Sequence, residues 1–169
     1  MRIAVFSDSH GFIQNMIDAV DAVKPDMIIH LGDCTRDADA LSEEYPLIPL
    51  ANVKGNCDFD YAVPEDRTFE VEGVRFFIAH GHRQNVKIES IPFLNSIYFS
   101  GAQIGLYGHT HIAKIKSIEG VTIMNPGTCK SCMRPTFGVI EVKNGEYECK
   151  IFEINERMKY ISPTAEEDE

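Results

Sequence analysis

Histidine and acidic side chains come in short clusters, each placed directly after an apolar run. The clusters that contain histidine begin at Asp8, His80 and His109, and they hold five of the six histidines in the chain. Two further polar groupings in the same setting are Gly32-Asp33 and Gly55-Asn56-Cys57-Asp58. Imidazole nitrogens and carboxylate or amide oxygens are ligands of divalent metal ions. Open-sheet folds carry their sites at the carboxyl ends of strands, which is where these side chains are expected to lie. The pattern therefore predicts a metal centre.

The number of candidate ligands indicates two ions rather than one. Seven ligand-type side chains are too many for one tetrahedral zinc ion, but they fit two ions that share a carboxylate. Asp33 suits the shared position because a carboxylate has two oxygens and four lone-pair sites. Two ions about 3.5 to 4 Å apart can hold a hydroxide as nucleophile while each binds a phosphoryl oxygen. The seven candidates are Asp8, His10, Asp33, Asn56, His80, His109 and His111.

Other polar residues have simpler interpretations. A single histidine at a strand end is more often a hydrogen-bonded structural residue, but five clusters in similar settings favour metal binding. His30 lies inside an apolar run, so we expect a structural role or a hydrogen bond to a ligand. Gly81 allows a tight turn that could aim His82 at substrate rather than metal. Four aspartates are expected to lie solvated on helix surfaces: Asp18, Asp21, Asp37 and Asp39.

Length and charge restrict the class of protein. A chain of 169 residues with 44% hydrophobic content suits one compact domain, since a domain of this size buries roughly 70% of its unfolded surface. We assign residues 1–155 to that domain and expect the acidic segment 156–169 to be mobile. The net charge of −10 repels long polyanions, so we expect a small phosphorylated substrate and no extended nucleic-acid surface.

Apolar runs and cysteines indicate the compartment. No run approaches the ~20 residues of a membrane helix, and the first apolar run reaches Asp8 too soon for a signal peptide. We therefore expect a cytoplasmic protein with no membrane partner. Five scattered cysteines agree with a reducing compartment. Cys129 and Cys132 have C-x-x-C spacing, but one such pair is weak evidence for zinc, and we interpret them as incidental loop thiols.

The first half of the chain alternates strands and helices. Residues 2–7, 27–31 and 48–53 are predicted strands, and helices are predicted over residues 15–23 and 37–44. This alternation favours a parallel sheet with right-handed crossovers.

The second half is mostly β-structure. A hairpin is predicted for residues 68–71 and 74–79, and an amphipathic helix for 88–99, with Pro92 at its start or at a kink. Asn144-Gly145 is typical of a type I′ turn. The other predicted strands are 103–107, 113–118, 121–124, 136–142 and 147–154. Two sheets packed together with outer helices is the simplest assembly.

Taken in order, these motifs resemble the calcineurin-like metallophosphoesterases. They look most like the small single-domain branch of bacterial and archaeal phosphodiesterases, which is similar in outline to the retromer subunit of the same fold. The resemblance runs from Arg2 to about Ile154, and Asn125-Pro126-Gly127 also matches that branch. The motifs that carry it are Asp8-x-His10, Gly32-Asp33, Gly55-Asn56-x-Asp58, His80-Gly81-His82 and Gly108-His109-Thr110-His111.

The resemblance implies a fold, a ligand set and an assembly. The fold is a four-layer α/β/β/α sandwich of two mixed sheets with the site between the sheets at the strand ends. Manganese is expected first, with nickel, zinc or iron as alternatives, because mixed nitrogen and oxygen sites select weakly among them. A homodimer or homotetramer is expected. One ion is assigned to Asp8, His10, Asp33 and His111, and the second to Asp33, Asn56, His80 and His109.

One position departs from the family pattern. Many members have histidine after the motif asparagine, where it stabilises the transition state or protonates the leaving group, and this chain has Cys57. A thiol with a pKa near 8.5 is a poor acid, and losing a general acid typically costs roughly 10² to 10⁴ in rate. Asp58 or His82 could supply the proton instead, and the sequence does not choose between them.

Two functions follow. The first is a phosphodiesterase or phosphatase in which a bridging hydroxide attacks small phosphodiesters, with Asp33, Asn56, Asp58 and His82 in catalysis. Because no arginine lies inside the motifs, monoesters, which carry nearly two negative charges, should react more slowly than diesters. Duplex DNA and long RNA should be poor substrates because the net charge of −10 repels them. The alternative is a metal-bearing, non-catalytic interaction protein of the retromer-subunit type. The complete ligand set favours the enzyme, whereas Cys57 favours the scaffold.

Overall fold

The computed structural model describes residues 1–131, 134–155 and 158–161, which contain eleven strands and three helices. None of these helices is long and apolar enough to cross a membrane. The elements in chain order are β1 (Arg2–Phe6), α1 (Ile13–Val23), β2 (Met27–His30), α2 (Thr35–Glu44), β3 (Leu50–Asn52), β4 (Asp66–Val71), β5 (Val74–Ala79), α3 (Ile91–Ser100), β6 (Ile104–Leu106), β7 (Lys114–Ile118), β8 (Val121–Asn125), β9 (Thr136–Lys143), β10 (Glu146–Glu153) and β11 (Tyr160–Ile161).

Both sheets are mixed, and each contains three parallel strands. The first sheet has the order β11-β10-β9-β1-β2-β3, in which β1, β2 and β3 run parallel and the other three are antiparallel. The second has the order β4-β5-β6-β8-β7, in which β5, β6 and β8 run parallel. The α/β class and the two mixed sheets expected from the sequence are confirmed.

Alternating side chains divide the core between layers. On β1, Ile3 and Val5 pack between the two sheets, whereas Ala4 and Phe6 pack with residues of α1 and α2. On β5 the same alternation separates Phe76, which faces the first sheet, from residues that pack under α3. Because successive strand side chains point to opposite faces, each central strand contributes to two apolar clusters. The layer order is α1/α2, first sheet, second sheet, α3.

Most element boundaries shift by one or two residues from those expected, and one shifts by three. The strand predicted over 48–53 is shortened at both ends to Leu50–Asn52, and the helix predicted from residue 88 begins at Ile91. Pro92 lies in the first turn of α3, where its missing N–H removes no helical hydrogen bond, so it marks a start and not a kink. Asn144 and Gly145 both have positive φ, as the predicted type I′ turn requires.

The segment after residue 155 was expected to be mobile, which stays a prediction. Within this segment, Tyr160–Ile161 forms β11 and pairs with β10. The apolar side chain of Ile161 and the ring contact of Tyr160 with Phe152 explain the pairing. Residues 156, 157 and 162–169 lie outside the described residues.

Candidate metal centre

Four of the predicted ligands converge on one point between the sheets. Their ligand atoms all lie within 4.8 Å of one another. Asp8 Oδ1 is 3.1 Å from His111 Nε2, and Asp33 Oδ2 is 3.8 Å from His10 Nε2. We call this set, Asp8, His10, Asp33 and His111, the first donor group.

The remaining predicted ligands form a second, adjoining group. Asp33, His80 and His109 have ligand atoms within 4.8 Å of one another, so Asp33 belongs to both groups. Asp33 Oδ2 is 3.5 Å from His80 Nε2, and Asn56 Oδ1 is 3.2 Å from that same nitrogen. Burial lowers the pKa of His109 to about 4, with a further contribution from His80, which leaves its imidazole neutral. The second donor group is Asp33, Asn56, His80 and His109.

His80 is oriented so that its Nε2 atom lies among the oxygens of neighbouring ligand side chains. Its Nδ1 donates a hydrogen bond to the carbonyl oxygen of Leu31 at 2.7 Å, which turns Nε2 toward oxygens of Asn56 and Asp33. Burial opposes a charged imidazole, but the hydrogen bond with Asp33 and the charges of Asp8 and Asp33 outweigh it and raise the pKa of His80. The negative field that favours a proton on Nε2 would also favour a divalent cation.

Asp8 supplies the clearest test of whether a metal fits. Its Oδ2 accepts hydrogen bonds from Ser7 Oγ at 2.6 Å and from the His109 amide at 3.0 Å. Its Oδ1 is buried and has no hydrogen-bond partner among the described residues. A buried carboxylate oxygen without a partner is costly unless a cation compensates it. The Oδ1 atom makes no hydrogen bond and lies 3.1 Å from His111 Nε2 and 3.9 Å from His80 Nε2, and this set of nitrogen and oxygen donors fits a divalent metal ion.

Asp33 is held as a carboxylate. Burial alone would raise its pKa, but His80 and the Cys57 amide, which donates to Oδ1 at 2.9 Å, hold it well below its usual range. With Oδ1 engaged in this way, Oδ2 faces nitrogens of both donor groups. This is the arrangement that a shared ligand requires.

Several donors have left-handed backbone conformations, which L-residues rarely adopt. The φ values are 54° for Asp8, 45° for His10, 59° for Asp33, 66° for His109 and 61° for His111. Each such residue costs roughly 1–2 kcal/mol. Strain of this kind persists where the surrounding structure fixes it, and it clusters at functional sites.

Two glycines allow the loops to approach the carboxylates. A Cβ atom on Gly55 would overlap Asp33 Oδ1, and one on Gly108 would overlap Ser7 Oγ and press on Asp8 Oδ2. The glycines next to the ligand clusters are therefore needed for close packing of the loops.

Asp58 supports the loops around the donor groups. Its two oxygens accept four backbone N–H bonds of 2.8–2.9 Å, from Asp33, Cys34, Thr35 and Gly55. Asp58 therefore joins the loops after β2 and β3 and fixes the start of α2. A catalytic role for Asp58 stays a prediction.

His82 and His30 differ in their distance from the donors. The His82 ring lies 5.4 Å from the His80 ring and 6.1 Å from the His109 ring, beside the second donor group. Its Nε2 faces Glu65 Oε2 at 3.7 Å. His30 is fully buried and bonded to Ser9 Oγ and the Gly32 amide, so its predicted structural role is confirmed.

Three other expectations change or remain open. Asp37 is buried and accepts the Gly11 amide at 2.7 Å, so it is not a solvated surface residue. Asn125, which belongs to a segment that matches the family branch, is buried and bonds Gly108 and Thr110, which holds the loop of His109 in place. Cys129 is buried, and burial raises the pKa of its thiol to about 12. Cys132 lies outside the described residues, so the interpretation of the pair as incidental loop thiols stays a prediction.

Comparison with known families agrees with this geometry. Residues 1–145 match the calcineurin-like phosphoesterase superfamily domain. The chain belongs to this superfamily. A probable metallophosphoesterase of Methanothermobacter thermautotrophicus is 31% identical over 160 residues, which cover 89% of this chain and 91% of that protein. Phosphodiesterase MJ0936 of Methanocaldococcus jannaschii is 25% identical over 166 residues, which cover 87% and 96%.

Solved structures share the same fold. A predicted phosphoesterase from Streptococcus pneumoniae superimposes with a TM-score of 0.79 at 23% identity, covering 95% of this chain and 92% of that one. Wild-type Vps29 of Entamoeba histolytica, determined with Zn²⁺, gives a TM-score of 0.77 at 18% identity, covering 92% and 94%. The predicted family, with its Vps29-like fold, is confirmed, and membership in it implies divalent metal ions.

Proposed function

We propose that this protein is a phosphodiesterase that uses two divalent metal ions to hydrolyse small phosphodiesters. The observation that carries the proposal is the pair of adjoining donor groups that share Asp33. The carboxylates of the two groups, Asp8 and Asp33, face imidazole nitrogens of His10, His80 and His111 at 3.1–3.9 Å.

Each donor group would hold one ion. The first ion is assigned to Asp8, His10, Asp33 and His111, and the second to Asp33, Asn56, His80 and His109. Manganese is the first choice, with nickel, zinc or iron as alternatives, because such mixed sites select weakly. When bound, the two ions would supply a Lewis-acidic centre that lowers the pKa of water and neutralises charge on phosphoryl oxygens.

The protein residues fix the orientation of the centre before substrate arrives. Leu31 orients His80, Ser7 and the His109 amide orient Asp8, and the Cys57 amide orients Asp33. Preorganised groups of this kind require no rearrangement during the reaction. We assign His82, which lies beside the second donor group, to contact with a phosphoryl oxygen or the leaving group.

Cys57 contributes little as an acid. Cys57 is an exposed residue beside the donor groups. Partial desolvation of its thiol, together with the charge of Asp33, raises its pKa. A thiol that holds its proton more tightly than usual protonates a leaving group less readily. Esters with good leaving groups should therefore be the better substrates.

Charge supports a preference for small diesters. The net charge of −10 disfavours binding of long polyanions, and a diester carries one negative charge where a monoester carries nearly two. We also propose that the protein acts in the cytoplasm as a homodimer or homotetramer, without membrane or extended nucleic-acid partners.

A scaffold function of the retromer-subunit type is the second candidate. The structural likeness to Vps29 and the presence of Cys57 in place of histidine favour it. The complete donor set favours the enzyme, because a scaffold has little need of all seven ligand-type residues.

Metal-dependent activity decides between these candidates. Protein stripped of metal and reloaded separately with manganese, nickel, zinc or iron is assayed on bis-nitrophenyl phosphate, nitrophenyl phosphate and a DNA 20-mer. We expect about two ions per chain by elemental analysis and the highest kcat/KM on the diester. A protein that is inactive with every one of these ions, or that prefers the 20-mer, would overturn the proposal.

A further inference from the structure

A cavity of about 430 Å³ opens beside the first donor group, on the side of α2. This volume lies in the range of small-molecule sites. His10 forms part of the wall, and Cys57, whose amide bonds Asp33, forms another part. The cavity therefore adjoins the proposed reacting centre. Its lining is His10, Cys34, Thr35, Arg36, Cys57, Asp58, Phe59 and Asp60.

Arg36 gives the cavity a positive group that has no ion-pair partner among the described residues. Its side chain makes no ion pair with any residue that the structure describes. The nearby carboxylate of Asp58 is occupied by four amides, and Asp60 accepts the amide of Ala62. Arg36 is also the second residue of α2, where the helix dipole disfavours a cation. Its placement therefore does not serve helix stability, and its guanidinium is available to an anion.

Phe59 adds an aromatic face to the same cavity. Phe59 is 87% exposed, whereas other phenylalanines of the chain are among the largest fully buried side chains of the core. The residue follows Asp58, whose four hydrogen bonds fix the loop, so the ring projects from a rigid position. An exposed aromatic ring beside a guanidinium is a surface on which a nucleobase stacks.

We propose that this cavity binds the non-reacting ester arm of a nucleotide phosphodiester, with the base on Phe59 and a second phosphate on Arg36. The inference rests on the proposed function and names its substrate class. Hydrolysis adds water across the P–O bond of the other arm, which leaves as an alcohol, while the nucleotide remains in the cavity as a phosphomonoester.

Three nitrophenyl diesters with the same leaving group test the two contacts separately. Their second arms are methyl, thymidine 5′-yl, and thymidine 5′-yl with a 3′-phosphate. In wild-type protein we expect kcat/KM to rise in that order, by roughly tenfold at each step, since a stacked base or a charge-assisted phosphate contact contributes an effect of about that size.

The variants assign each step to one residue. Phe59→Ala should abolish most of the gain from the base, and Phe59→Tyr should retain it. Arg36→Ala should abolish most of the gain from the 3′-phosphate, and Arg36→Lys should restore part of it. Arg75→Ala is the matched control, because Arg75 is exposed at the other end of β5, and all its kcat/KM ratios should equal those of wild type.

Binding of thymidine 3′,5′-bisphosphate, measured by calorimetry on the protein as purified, separates this inference from the proposed function. We expect Arg36→Ala to weaken binding roughly tenfold relative to Arg75→Ala. Equal substrate ratios and equal binding in all variants would overturn the cavity assignment while hydrolysis of the methyl diester persists. Loss of hydrolysis with every ion, but with the binding difference intact, would overturn the proposed reaction and retain the cavity assignment.

Discussion

The two donor groups aim their ligands in different ways. All four residues of the first group, Asp8, His10, Asp33 and His111, have left-handed backbone conformations. In the second group Asn56 and His80 do not, and His80 is oriented instead by a hydrogen bond to a strand carbonyl. The first group therefore depends entirely on strained loops held by their surroundings, whereas the second combines two strained residues, Asp33 and His109, with His80 at the end of a strand.

Asp33 is the residue on which both groups depend. Asp33→Ala removes the shared carboxylate and leaves two sets of histidines without it, so we expect loss of both ions and a fall in activity of more than about hundredfold. Elemental analysis and diester kinetics measure the two effects together. Asp39→Ala, an exposed change on α2, is the control. Retention of one full ion per chain would show that the groups bind independently.

His30 serves neither group, and its effect should appear in stability alone. Burial lowers its pKa from 6.5 to about 4, so the unfolded chain binds a proton between these values and the native state does not. The contribution of His30 to the free energy of unfolding is therefore complete above pH 6.5, and about 3 kcal/mol of it is lost as the pH falls to 4. Urea unfolding in chelator should show this slope in wild type and a shallower one in His30→Gln. Identical slopes would contradict the assignment.

Gly108 tests the strained loops of the first group. Gly108→Ala places a methyl group on Ser7 Oγ and Asp8 Oδ2, and overpacking of this kind costs about 1–3 kcal/mol. We expect weaker metal binding as well, because Asp8 must move. Ser7→Ala removes one of the overlapping atoms, so the double variant should be less destabilised than the sum of the single variants. Strict additivity would mean that the overlap is relieved elsewhere.

Cys57→His should give the smallest effect and the most selective one. If a missing acid limits the reaction, the imidazole should raise kcat by roughly tenfold on alkyl diesters and leave nitrophenyl diesters nearly unchanged, since these leave without protonation. A substitution by serine controls for loss of the thiol. Equal gains on both substrate types would show that this position does not take part in acid catalysis.

The sequence was sufficient to predict the donors because their types are distinctive. Carboxylates, imidazoles and one amide after apolar runs predicted the seven converging side chains, and the strand patterns predicted two packed sheets with outer helices. The supporting contacts were not predictable in the same way. Asp58 has the type of a catalytic residue, and only its four amide partners in space show that it also joins the loops.

Arg36 was missed for a related reason. It lies three residues after Asp33, outside every motif, and its sequence position is that of an ordinary surface residue on a helix. Only the cavity that it shares with His10 brings it to the centre. A cation in the first turn of a helix was the available signal, because that position normally favours acidic side chains.

The hydrogen bond from the His109 amide to Asp8 spans 101 residues of chain, which has a consequence for folding. Closing so long a loop is entropically costly, so the donors should come together only after the two sheets have packed. A metal ion would then stabilise the native state but not the folding transition state. We expect added manganese to slow unfolding in stopped-flow experiments and to leave the folding rate unchanged. The metal centre would in this way determine how long the native state persists rather than how quickly it forms.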